Sequence, residues 1–147
     1  MDEIALTPIG YVKNSIKEMM KHGWGKVESE LVIEPGLTES LDGLEEFSHI
    51  VILFWMHQVS GIVPVKVHPQ GRADLPLIGT FATRSPHRPN SIGMTIVELL
   101  ERQGTVLKVR GLDAIDGTPI IDIKPHLPKD EISGTKRPDW VSRLDFS

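Results

Sequence analysis

The chain has no cysteine and only one tyrosine, and aromatic residues fill just 5% of its 147 positions. Without thiols there is no disulfide, no thiolate zinc site and no cysteine nucleophile. Its apolar runs fall well short of the roughly 20 residues that a membrane-spanning helix needs. Met1-Asp2-Glu3 does not open a signal peptide, so a cytoplasmic protein without membrane contact is the expectation. Nucleotide and nucleophile motifs are missing too. There is no G-x-x-x-x-G-K-[ST], no G-x-G-x-x-G and no G-x-S-x-G. P-loop chemistry, Rossmann-type cofactor binding and a serine nucleophile elbow are thereby excluded. The six histidines make no H-x-H, H-x-x-x-H or H-E-x-x-H pair, so no metal site is expected.

A surplus of positive charge is also lacking. The formal net charge is -4, which by itself does not point to nucleic acid. The distribution says more. Between Glu28 and Glu46 acids recur with no Lys or Arg among them, whereas Lys66, Arg72, Arg84 and Arg88 face only Asp74 between Val65 and Asn90. The second stretch is either one local basic surface or ordinary clumping of charge.

What is present is β structure. Thirteen glycines and eleven prolines cut the chain into short pieces rich in Ile and Val. Ile9 to Ser15 reads as a first strand. In Val27 to Ile33 the residues Val27, Ser29, Leu31 and Ile33 share one face and Glu28 and Glu30 the other. Ile50 to Met56 is apolar throughout and reads as a central strand buried on both faces. Ile92 to Leu100 and Thr105 to Leu112 flank Glu101-Arg102-Gln103-Gly104, a hairpin signature. Leu41, Leu44 and Phe47 form a short apolar stripe, predicting one short helix within Thr38 to Phe47, with Asp42 and Glu45 able to cap it. The predicted fold is mainly β: a single-domain antiparallel barrel with one short helix and long loops. Residues 1–128 would form the barrel, and 129–147 a short C-terminal tail packed on the barrel or on a dimer partner.

Polar residues gather where the apolar runs end. His57-Gln58 closes the central strand, Arg84-Ser85-Pro86-His87-Arg88-Pro89-Asn90 forms a proline-stiffened loop, and Asp116-Gly117 is a tight-turn pair. Strand ends and barrel mouths commonly hold small molecules. Arginine can clamp a carboxylate or phosphate. Each feature also has a purely structural reading: a kinked surface loop, a strand terminus reaching water, a turn. Composition and spacing leave both readings open.

At these residues a resemblance decides. Gly79-Thr80-Phe81-Ala82-Thr83-Arg84-Ser85-Pro86-His87-Arg88-Pro89-Asn90-Ser91-Ile92-Gly93 resembles the hallmark of the TsaA-like (TrmO, YaeB-like) family, G-x-F-A-T-R-S-x-x-R-P-N-P-I-G. Gly43 to His49, the strand ending in His57-Gln58, and Leu112 to Pro125 agree with it as well. The resemblance implies an S-adenosylmethionine-dependent methyltransferase on a β-barrel. It would act on N6 of N6-threonylcarbamoyladenosine at position 37 of threonine tRNA, in the anticodon loop, as a homodimer with the cofactor near the subunit interface. Carried over by motif, cofactor contacts fall on His57, Gln58, Arg84, Met94, Ala114, Ile115, Asp116 and Gly117. An early-loop contact falls near Lys21, His22 and Gly23. Lys66, Arg72, Arg88 and Asn90 would touch RNA, Arg88 through phosphates. No catalytic base stands out; His57 and Asp116 are candidates by position. The alternative is a non-catalytic S-adenosylmethionine-binding or RNA-binding barrel. Two departures from the family pattern stand out. Ser91 replaces a proline, which predicts a less stiff loop, and the chain stops soon after Trp140, where many bacterial members carry a further C-terminal region.

Overall fold

The structure is a computed structural model that describes residues 1–147. Eight strands form: β1 Gly10–Lys13, β2 Glu28–Ile33, β3 His49–Trp55, β4 Lys66–Val67, β5 Ile78–Gly79, β6 Ile92–Gln103, β7 Val106–Arg110 and β8 Pro119–Pro125. Six of them close into an antiparallel barrel in the order β1-β2-β7-β6-β3-β8, while β4 and β5 pair as a separate ribbon. The mainly β barrel expected from the strand spacing is therefore the fold. No helix is long and apolar enough to cross a membrane.

Alternation places the core. Ser29, Leu31 and Ile33 of β2 point inward, and Glu28 and Glu30 point to solvent. Val12, Leu31, Ile50, Ile52, Phe54, Val97, Leu107, Val109 and Ile120 fill the interior. One end is plugged by Leu112 and Ala114 of the loop between β7 and β8.

The central strand departs from its expected burial on both faces. Ile50, Ile52 and Phe54 are buried, but Val51, Leu53 and Trp55 are only partly covered. A closed barrel has one interior, so each strand gives it one row of side chains. The other row of β3 lies outside, paired across to Ile96, Met94 and Ile92 of β6. These three are exposed, and the outer wall carries an apolar stripe.

The helical stretch expected within Thr38–Phe47 is present as two 3-10 segments, Pro35–Leu41 and Leu44–Glu46. Gly43 separates them with φ of 92°, a left-handed conformation that a continuing helix cannot use. Asp42 and Glu45 do not cap a helix. Both bind the guanidinium of Arg102 on β6, at 2.9 and 3.2 Å, and Arg102 also donates to the Thr38 carbonyl at 3.0 Å. With a side chain only 14% exposed, Arg102 pins the acidic segment to the barrel.

Residues 139–147 dock on loops of their own chain. Gln70 donates to the Asp145 carbonyl at 2.7 Å and accepts from the Asp145 N–H at 3.0 Å. Arg72 reaches the Arg143 carbonyl, and the Gly23 N–H donates to Ser147 O at 2.9 Å.

Phe54 packs where β3 faces Gly93 of β6. A β-carbon built on Gly93 would lie 2.4 Å from two atoms of that ring. The ring is buried and cannot swing into solvent. Gly93→Ala should therefore lower stability by about 1–3 kcal/mol, the cost of overpacking a core. Urea unfolding measures it, and Phe54→Leu in the same chain should recover part of the loss.

Candidate functional site

The C-terminal end of β3, the N-terminal ends of β6 and β8 and the C-terminal end of β1 meet at one mouth of the barrel. His57 sits two residues beyond β3. Its ring is half-buried, and Nδ1 is the one buried side-chain nitrogen or oxygen in the chain with no hydrogen-bond partner. Leaving such an atom unsatisfied costs about 1–3 kcal/mol, so Nδ1 calls for a polar partner from outside the chain, water or ligand. The other ring nitrogen, Nε2, lies 3.9 Å from where a β-carbon of Gly117 would stand. Gly117 has φ of 83° and bears no side chain, which keeps the face of His57 open. Gln58, next along, is exposed.

The loop opposite His57 is held from behind. Asp116 N–H donates to the Ile16 carbonyl, and Gly117 N–H to the Val12 carbonyl, each at 2.7 Å. The Ile115 carbonyl accepts from both the N–H and the hydroxyl of Thr118. The N–H groups of Ala114 and Ile115 meet no acceptor within the chain, although both residues are buried. Asp116 is not merely the start of a turn. Its Oδ1 accepts from the Asn14 N–H at 2.9 Å and its Oδ2 lies 2.6 Å from Lys17 Nζ. The Lys17 ammonium, and after it the Asn14 N–H, hold its carboxyl below the usual carboxylate value. Asp116 is thus kept ionised as an acceptor and is a poor proton acceptor near neutral pH.

The arginine loop leaves Thr80–Ala82 and returns at Ser91. Arg88 clasps it from inside. Its Nη1 donates to the carbonyls of Thr83 and Ser85 at 3.0 and 2.9 Å, and the guanidinium stacks 5.8 Å above the Phe81 ring. Arg84 is exposed with no partner inside the chain, and Asn90 is exposed too. Ser91 is buried, and its hydroxyl donates to the Pro86 carbonyl at 2.9 Å. A hydrogen bond thus fastens the loop at the position where the family pattern has proline. The Ser91 carbonyl also accepts from Met56 N–H at 2.8 Å, tying the loop to the strand that delivers His57.

Other expected site residues lie apart from this mouth or are already engaged. Met94 points outward from β6 and is 46% exposed in the apolar stripe. Gly23 is bonded to Ser147, so this part of the early loop faces the tail. Lys21 is exposed. Arg72 is paired with Asp74 at 2.7 Å and bonded to the tail, whereas Lys66 is exposed on β4. No three His, Cys, Asp or Glu side chains converge. A groove of about 650 Å³ at the opposite end of the barrel, lined by Leu37, Leu41, Leu44 and Phe47, holds none of these residues.

Residues 19–131 match the family profile described as the tRNA-methyltransferase O N-terminal domain. The chain belongs to this family. An Archaeoglobus fulgidus relative called a probable S-adenosyl-L-methionine-binding protein is 38% identical over 146 residues, covering 97% of this chain and 39% of that protein. The tRNA (adenine(37)-N6)-methyltransferase of Escherichia coli K12 is 37% identical over 142 residues, covering 87% of this chain and 60% of the enzyme. The crystal structure of TrmO from Pseudomonas aeruginosa superposes with a TM-score of 0.75 at 31% identity, over 92% of this chain and 62% of that one. The chain thus spans less than two-thirds of the length of these three proteins.

Two residues of this mouth escaped the reading of the sequence, Asn14 and Lys17. One signal was there: Ser29 is a lone hydroxyl in the inward row of β2, and a buried hydroxyl calls for a partner. The partner is Asn14, whose Nδ2 donates to Ser29 Oγ at 2.9 Å.

The Lys17–Asp116 pair makes a pH prediction. The folded-state pKa of Asp116 is depressed, so its contribution to stability is present above the unfolded value of about 3.9. It is lost as pH falls through the lower folded value. Lys17→Met should move the Asp116 carboxyl titration upward, toward that unfolded value, in carboxyl-carbon NMR. An unmoved titration would mean that the Asn14 N–H alone sets it.

Proposed function

We propose that this chain is an S-adenosylmethionine-dependent methyltransferase acting on N6 of N6-threonylcarbamoyladenosine at position 37 of tRNA. The observation that carries the reading is the partnerless His57 Nδ1, on a ring whose Nε2 edge borders the Gly117 turn, in a chain of this family. These groups fit the cofactor chemically. The Ala114 and Ile115 N–H groups suit ring-nitrogen or carboxylate acceptors, and ionised Asp116 suits hydroxyl or ammonium donors. Bound S-adenosylmethionine supplies an already activated sulfonium methyl, so no covalent enzyme intermediate is needed. The chain's own work is to hold and align, as in any transfer that depends on orientation. The nitrogen that is methylated must lose its proton. Asp116 is ill suited to take it, while His57 has a free ring nitrogen at the site.

The substrate base sits in the anticodon loop of threonine tRNA, where it can be splayed out at low cost. Arg84 is the loop's free cation and remains the cofactor contact. Arg88 can offer phosphate only the part of its guanidinium not used by the clasp. Lys66 is a free phosphate contact, and Arg72 becomes one when it leaves both the tail and Asp74. The protein works in the cytoplasm as a homodimer. Its interface is the outer apolar stripe of Val51, Leu53 and Trp55 with Ile92, Met94 and Ile96, a contiguous face of the kind that marks association. Met94 would then reach cofactor bound in the partner's mouth, since its own barrel wall separates it from the interior.

The prior engagement of Arg72 and Arg88 favours a second reading, a cofactor-binding barrel that transfers nothing. Two measurements separate them. S-adenosylmethionine at a hundred times its Kd should stabilise the fold by about 2.7 kcal/mol, visible as a rise in Tm. Radiolabelled methyl should then appear in threonine tRNA that carries the threonylcarbamoyl group. Cofactor binding without label in that tRNA selects the second reading. Within the first, Arg84→Ala should weaken cofactor binding alone, whereas Arg88→Ala should release the loop and weaken cofactor and tRNA together. Loss of tRNA affinity alone in Arg88→Ala would return that residue to a pure phosphate contact.

A further inference from the structure

We propose that Asn14 is the positioning residue of the Ala114–Gly117 segment, acting as the joint through which β1 and β2 set that segment's geometry. The proposal deepens the methyltransferase reading and rests on it only where cofactor is concerned. Asn14 uses both sides of its side-chain amide and its main-chain N–H. Nδ2 donates to the Ala114 carbonyl and to Ser29 Oγ, both at 2.9 Å. Oδ1 accepts from the Ile16 N–H at 2.9 Å, and its own N–H donates to Asp116 Oδ1 at 2.9 Å. The sequence separations are 100 and 102 residues for the bonds to Ala114 and Asp116.

These bonds have a directional consequence. Capturing the Ala114 carbonyl from behind fixes that peptide plane, which leaves the N–H of Ile115 on its other edge. Holding Ile16 in a turn delivers the Ile16 carbonyl to the Asp116 N–H. The Asp116 carboxylate is then aimed by the Asn14 main chain and neutralised by Lys17. Ser29 is 3% exposed and anchors the amide to the barrel wall. Asn14 touches no ligand in this scheme. It acts through Ala114, Ile115 and Asp116.

The test compares the full chain with Asn14→Ala and with Asn14→Asp. The latter is isosteric, keeps the acceptor for Ile16 and turns an oxygen against the Ala114 carbonyl. In calorimetric titrations with S-adenosylmethionine, both variants should show a Kd raised roughly ten- to a hundredfold, the scale of one or two lost hydrogen bonds. Binding stoichiometry and kcat at saturating cofactor should stay within about threefold of the parent. A merely structural role gives the opposite split: fewer competent molecules, an unchanged Kd. That result would overturn the proposal. Hydrogen exchange without any ligand gives a second readout. Amides in 112–118 should lose protection in Asn14→Ala while β6 and β7 keep theirs; equal protection in the variant and parent overturns the proposal as well. If Asn14→Ala does not fold, Asn14→Asp carries both measurements. If the parent binds no S-adenosylmethionine, the methyltransferase reading fails, and the exchange experiment still decides on Asn14.

Discussion

Closure of the barrel is the constraint on which everything else in this molecule depends. Six short strands wrapped on themselves enclose one row of side chains from each, and that interior is filled with aliphatic residues and Phe54. No ligand can enter the middle. Chemistry is confined to the rims, where strands turn into loops, and to whatever the outer wall can offer. At one rim Leu112 and Ala114 plug the end, and the polar groups around them face out of the plug rather than into the core. A wider barrel would have lined a cavity; this one builds its site from loops braced against a solid cylinder.

Closure also explains what the sequence could and could not tell. Alternation in β2 and the turn pair Asp116-Gly117 were legible because local spacing governs them. The apolar run of β3 was legible as a strand but misleading about burial, since one-dimensional hydrophobicity cannot distinguish a second layer of protein from a partly exposed outer wall. The helix within Thr38–Phe47 is split into two 3-10 segments at Gly43, and its two expected capping acids pair instead with Arg102, distant in sequence. The bonds from Asn14 to Ala114 and Asp116 cross the same kind of distance. No periodicity reports such pairs. His57 shows the reverse case: its place at a strand end was plain, but the empty hydrogen-bonding position at Nδ1 emerged only with its surroundings.

The arginine loop shows how one motif can meet two demands. A loop that presents a free cation must be stiff, or the entropy of fixing it erodes binding. Two prolines contribute part of that stiffness. The remainder comes from Arg88 turned inward on the loop's own carbonyls and from Ser91, whose hydroxyl does by a hydrogen bond what a proline ring does by covalent restraint. One arginine is structural so that its neighbour can be free. Residue identity within the motif did not separate these roles; only the direction of each guanidinium does.

Gln70 is the single non-glycine residue with positive φ, at 54°, a conformation that costs energy unless its surroundings enforce it. It directs a side-chain amide at the backbone of Asp145, as a strand would meet its neighbour. The tail is thus held by a loop bent to receive it, and it shares no ladder with the barrel. In the hierarchy of local openings it belongs to the lowest rung, free to lift while the barrel stays closed. Each such opening frees Arg72 Nη1 and the Gly23 N–H together, while the guanidinium stays paired with Asp74, so the loop after β4 and the early loop lose a shared contact in one event.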